Sequence, residues 1–167
     1  ISLANPTTWP NLKYTFLSLS YNGFESILNN NSKNGYSNLQ SVQLIIPIRN
    51  KYALGIELHP YSYQKTDMID TLDNELIAFE DTLSLQKQFV QAGGVMAFDI
   101  SASTSIISGT NLGFTFQLLF GSSRQSKNLL VDEIPYSISS RLNYSGVNTI
   151  FFLKHYAFGF DFFLSSI

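Results

Sequence analysis

His59 stands two residues after Glu57 in the segment Ala53-Leu54-Gly55-Ile56-Glu57-Leu58-His59. Residues two apart on a strand share a face, so this imidazole and carboxylate could relay a proton or begin a metal site. A metal needs more ligands than that pair offers, and His155 lies far along the chain. A histidine on a polar interior or rim is the plainer reading. Asp99, Gln117, Arg141 and Asp161 also fall among small residues, and with Glu57 and His59 they are the candidates for a lumen-facing set. Charges inside a filled interior need partners, so pairing among them is expected before any transport path. The acidic stretch Asp67–Asp81 lacks the Asp-x-Asp-x-Asp-Gly spacing of a calcium loop. There is no cysteine and no Gly-x-Ser-x-Gly motif, which removes thiolate chemistry and the usual serine elbow. Gly93-Gly94 fits no phosphate-binding pattern and marks a bulge or a close backbone approach. No cofactor, metal or enzymatic activity is therefore expected.

The elements that must carry these groups are strands. In Leu112-Gly113-Phe114-Thr115-Phe116-Gln117-Leu118-Leu119-Phe120-Gly121, Leu112, Phe114, Phe116, Leu118 and Phe120 share one face. Asn111, Gly113, Thr115, Gln117 and Gly121 take the other. One face is large and aromatic, and the other is small and polar. That pattern suits a membrane barrel with lipid outside and a wet interior. The same beat places Val42, Leu44, Ile46 and Ile48 opposite Ser41 and Gln43, and Tyr52, Leu54, Ile56 and Leu58 opposite Ala53, Gly55, Glu57 and His59. It returns over 82–92, 94–104, 136–144 and 157–166, the last with Phe158, Phe160, Phe162 and Leu164 on the apolar face.

Pro and Asn make residues 5–11 a turn-rich lead-in to a strand at 13–26. Residues 29–35 and 121–128 read as polar loops, and Arg49-Asn50-Lys51 as a hairpin turn. Residues 66–81 hold half of the twelve carboxylates and read as an acidic extracellular loop, with room for a short helical turn. The fold expected is all-β: an antiparallel up-and-down meander of about eight strands forming a transmembrane β-barrel, whole or part of a larger one. Alternation sustained over ten or more residues favours this over a soluble lipid-binding barrel, since a tilted crossing strand needs about 9–11 residues.

Composition fits. Charged residues are 13% of the 167, aromatics 14%, and the net charge is −2, so there is no basic field for nucleic acid. No apolar run is long enough for a transmembrane helix. Ile1 is read as a cut or processed end.

Several segments resemble outer-membrane barrels of the hydrophobic-compound transporter superfamily, the FadL-type proteins, in Bacteroidetes-like versions. Asn5-Pro6-Thr7-Thr8-Trp9 is similar to the Asn-Pro-Ala element that leads into their first strand. Residues 53–62, ending Pro60-Tyr61-Ser62, are similar to a strand end in that family. Gly93-Gly94-Val95 and the run from Gly109 to Ser122 look like its paired-glycine strand and following hairpin. The resemblance implies passive uptake of small hydrophobic compounds at a bacterial outer membrane, with the lipid bilayer and a small hydrophobic ligand as partners. Larger members carry more strands and a plug, so the chain reads as one barrel domain over 1–167 or the N-terminal portion of one. A non-transporting accessory barrel that docks another envelope protein is the alternative. A continuous cavity would favour transport and a filled one the accessory role. As part of a longer barrel, strands 13–26 and 157–166 should not be hydrogen-bonded to each other.

Overall fold

A computed structural model describes residues 3–28, 32–49, 51–78, 81–131, 134–157 and 160–166, and their side chains apart from 24–38 and 69–86. The strands are β1 (Phe16–Leu28), β2 (Ser32–Ile48), β3 (Tyr52–Ala78), β4 (Asp81–Ile107), β5 (Thr110–Val131), β6 (Ile134–Ala157) and β7 (Phe160–Ser166). They form a single seven-stranded sheet in sequence order, with β1 and β7 as its two edges. The pairings β1–β2, β2–β3 and β6–β7 are antiparallel. This is the expected all-β antiparallel meander, and the sheet is not closed between its first and last strands.

Short links make the meander. Ile48 pairs with Tyr52 across the 49–51 turn, where Lys51 N donates to Ile48 O at 3.2 Å and Arg49 adopts φ 51°. Ser20 opposes Ser41 while Tyr21 opposes Leu39, which leaves Gln40 as the extra residue of a bulge.

Seven strands replace the eight or so expected, because 82–92 and 94–104 are one continuous strand, β4. Residues 66–78 of the expected acidic loop belong to β3, and β4 begins at Asp81; residues 79–80 lie outside the described set. Residues 121–128 likewise belong to β5. The reason is that backbone pairing does not require an apolar face. In 66–78, Met68-Ile69, Leu72 and Leu76-Ile77 fall out of a two-residue beat, and 121–128 is polar throughout, so alternation vanishes while the ladder continues. Side chains add their own rungs there. Gln88 donates to Asp67 at 3.1 Å, Asn128 to Gln88 at 3.3 Å, and Ser137 to Asn128 at 2.9 Å. Together they link β3, β4, β5 and β6. Of the loop expected at 29–35, β2 takes residues from Ser32 onward, and 29–31 lie outside the described set.

By internal contacts the chain forms two units. One comprises Ile1–Pro60, Met96–Leu119 and Gly146–Ile167. It contains a 3-10 turn, Pro6–Asn11, and a small core of Trp9, Ile45 and Ala53 flanked by Leu3 and Leu12. The other comprises Tyr61–Val95 and Phe120–Ser145. In it, the paired glycines mark a close backbone approach, as the sequence suggests. Gly93 has φ +146°, and a Cβ on it would lie 2.6 Å from Ser123 Cα. A Cβ on Gly121 would lie 2.9 Å from Val95 Cα.

The two faces of the first unit differ in the sense that the alternation requires. Leu112, Phe114, Phe160 and Phe162 are exposed, Phe116 and Leu118 are half-buried, and Phe158 lies outside the described residues. Asn111, Thr115 and Gln117 on the opposite face of β5 are buried. The small, polar face is thus the covered one.

Candidate functional site

The cover is the N-terminal segment. Asn5 caps the 3-10 turn: its Oδ1 accepts from Thr7 N at 3.0 Å and from Thr7 Oγ1 at 2.7 Å. Pro6 follows at the first turn position, where its missing N–H costs nothing. Leu12 N donates to Trp9 O at 2.9 Å and closes the turn. These local bonds leave a short, rigid segment that presents Trp9 sideways to the sheet.

The sheet receives it with small residues. Trp9 is 3% exposed and lies on Gly55, where an added Cβ would sit 2.7 Å from the ring's Cη2. Gly113 does the same for the start of the turn: a Cβ there would be 3.1 Å from Pro6 Cβ and 3.3 Å from Thr7 Cγ2. Polar contacts fix the seat. Asn111 Nδ2 donates to Thr7 O at 2.7 Å. Trp9 Nε1 and Gln43 Nε2 both donate to Leu3 O, at 2.9 and 3.1 Å.

Gln43 also begins a polar chain across the strands. It lies 3.0 Å from Glu57 Oε2. His59 Nε2 is 3.3 Å from Asp99 Oδ2, which also accepts from Gln117 Nε2 at 3.3 Å. Asn148 Nδ2 lies 3.5 Å from Gln117 Oε1, and Ser101 shares a 2.7 Å bond with Thr115. Residues from β2, β3, β4, β5 and β6 are joined in this way. Asp99 is a buried carboxylate, and a buried charge persists only when it is paired and hydrogen-bonded, here by His59 and Gln117. Among the described residues, no three His, Asp or Glu side chains are grouped closely enough to hold a metal ion. The chemistry on offer is cross-strand fastening.

Of the sequence candidates, Glu57, His59, Asp99 and Gln117 therefore fall on one face within this network, Asp99 and Gln117 buried and Glu57 and His59 half-buried. Arg141 and Asp161 do not join it. Arg141 is exposed and donates Nη2 to Ser122 Oγ at 3.1 Å. Asp161 is paired with Lys154 at 3.1 Å, a partner on the neighbouring strand β6. The expectation of a wet small-residue face is corrected: Ile45, Ala53 and Ala97 on it are fully inaccessible, and the N-terminal segment occupies part of it. Alternation identifies that face but is silent about a segment folding back onto it.

Sequence reasoning passed over Trp9, Ile45, Asn111 and Asn148 as members of the site. One signal was available. Trp9 is the sole tryptophan, set between two prolines, and two glycines interrupt strands on the small-residue side.

The BamG family model matches residues 1–158. No curated protein and no solved structure matches the chain. This match does not extend to the FadL-type transporters, and that resemblance finds no support in it.

Proposed function

The chain belongs to the BamG family, and from that membership we propose that it is an outer-membrane barrel component that serves the BAM complex as an accessory subunit. The role is non-catalytic and structural, and its partners are the lipid bilayer and other envelope proteins. This role fits the family match better than passive uptake of small hydrophobic compounds. One observation carries the choice between these roles. The face that a transport path would need is partly occupied by the N-terminal segment and crossed by the Gln43–Glu57 and His59–Asp99–Gln117–Asn148 bonds. The opposite face supports the membrane setting, since Leu112, Phe114, Phe151, Phe160 and Phe162 are all exposed on the chain. Such a surface is costly in water and suited to lipid.

The test is affinity purification of the full, tagged protein from outer membranes in mild detergent. Co-purification of the central BAM barrel in near-equal amount is the expected result. A protein recovered alone, together with slowed uptake of hydrophobic compounds in its absence, would overturn the accessory reading.

A further inference from the structure

The apolar face of the first unit carries a groove of about 670 Å³. Ile48, Tyr52, Leu54, Phe114, Phe151 and Leu164 line it, and all of them are exposed apolar-face residues. Ala102 and Thr104 line it as well, and their small side chains leave space that larger ones would fill. Phe114 and Phe151 touch with ring centroids 5.1 Å apart, which fixes one wall.

Two cations stand at one end. Arg49 precedes and Lys51 follows residue 50 in the turn whose flanking residues, Ile48 and Tyr52, line the groove. Besides the Lys51–Ile48 bond, the turn is tied to β4, because Lys51 O accepts from Ser105 N at 2.8 Å. Both side chains are exposed. The ion pairs among the described residues are His59–Asp99 and Lys154–Asp161, so neither cation has an acidic partner in that set.

We propose that this groove is a binding site for an anionic glycerophospholipid, with an acyl chain against Leu54, Ala102 and Phe114 and the phosphate facing Arg49 and Lys51. The inference rests on the membrane setting proposed above. A depression open to hydrocarbon is not left empty, because its walls would lose dispersion contacts. The groove asks for an occupant that is apolar along its length and anionic at one end. Tyr52 stands at the change from apolar wall to charged turn, the position that amphipathic aromatics favour at a bilayer interface. Cations at that level attract anionic headgroups.

The experiment uses the full protein in mixed vesicles of phosphatidylglycerol and phosphatidylcholine, extracted gently and weighed intact by native mass spectrometry. The wild type should retain one phosphatidylglycerol in at least tenfold preference to phosphatidylcholine. Ala102→Phe, which fills the groove, should lose the retained lipid. Arg49→Gln with Lys51→Gln should bind both lipids equally, and this exposed turn variant keeps the test open if Ala102→Phe fails to fold. No retained lipid on the wild type, or an unchanged preference in the turn variant, overturns the proposal. If Ala102→Phe instead releases a BAM subunit while no lipid is retained, the groove belongs to a protein partner and the lipid site is refuted. Copurification with the BAM complex is scored separately, so the accessory role and the lipid site stand or fall independently.

Discussion

Trp9 is the sole tryptophan of the chain, and it is buried on Gly55. Its emission therefore reports the N-terminal segment alone. In the folded protein the emission should be blue-shifted and shielded from acrylamide. Gly55→Val should shift it red and cost about 1–3 kcal/mol, the usual range for overpacking a filled site. An unchanged emission maximum in that variant would mean that the ring does not rest on residue 55. Asp99 permits a second test. Asp99→Ala deprives His59 and Gln117 of a shared acceptor, and leaving the buried Gln117 amide unsatisfied costs about 1–3 kcal/mol. A double-mutant cycle with His59→Ala should give a clear coupling energy, whereas strict additivity would show that the pair does not interact.

At the scale of the strands, β3 and β4 each run 27 residues, well beyond the roughly 9–11 that a bilayer crossing requires. The surplus is held by hydrogen bonds and by glycines where backbones converge. Gly93 combines a positive φ with the nearby Ser122–Ser123 backbone, so both conformation and space exclude a side chain. Gly93→Ala should lower the unfolding free energy by about 1–3 kcal/mol, as expected for strained backbone. Gly23 in β1 is the control, with nothing among the described residues within 4 Å of an added Cβ. Gly23→Ala should be neutral or stabilise by up to about 1 kcal/mol, through a less flexible unfolded chain. Equal urea midpoints for the two variants would refute the close approach at Gly93.

For the whole molecule, the deciding property is which face meets lipid. Phe114→Arg should cost about 2–4 kcal/mol if the residue lies near the bilayer midplane, read as unfolding from phospholipid vesicles. Retention of wild-type stability would exclude lipid from that face. β1 and β7 are the open edges of the sheet, and unpaired N–H and C=O groups in hydrocarbon cost several kcal/mol each. If the sheet lies in a bilayer as proposed, those edges must be paired or shielded there.

The two-residue period determined the all-β class, the antiparallel meander, and the separation of an aromatic face from a small, polar one. It also placed Glu57, His59, Asp99 and Gln117 on the latter face, because strand geometry converts spacing directly into sidedness. The tight 49–51 turn was legible for the same kind of local reason. The extent of the strands was not. Residues 66–78 and 121–128 lie within β3 and β5, but their apolar and polar residues do not alternate with a two-residue period, so the pattern gives no signal there. Nor could spacing reveal that Pro6–Asn11 folds onto Gly55 and Gly113. The Asn111–Thr7 contact spans 104 residues, and a contact of that separation exists only once the strands have brought its two ends together. Tertiary structure alone therefore decided that part of the polar face is covered, because that cover comes from a remote segment.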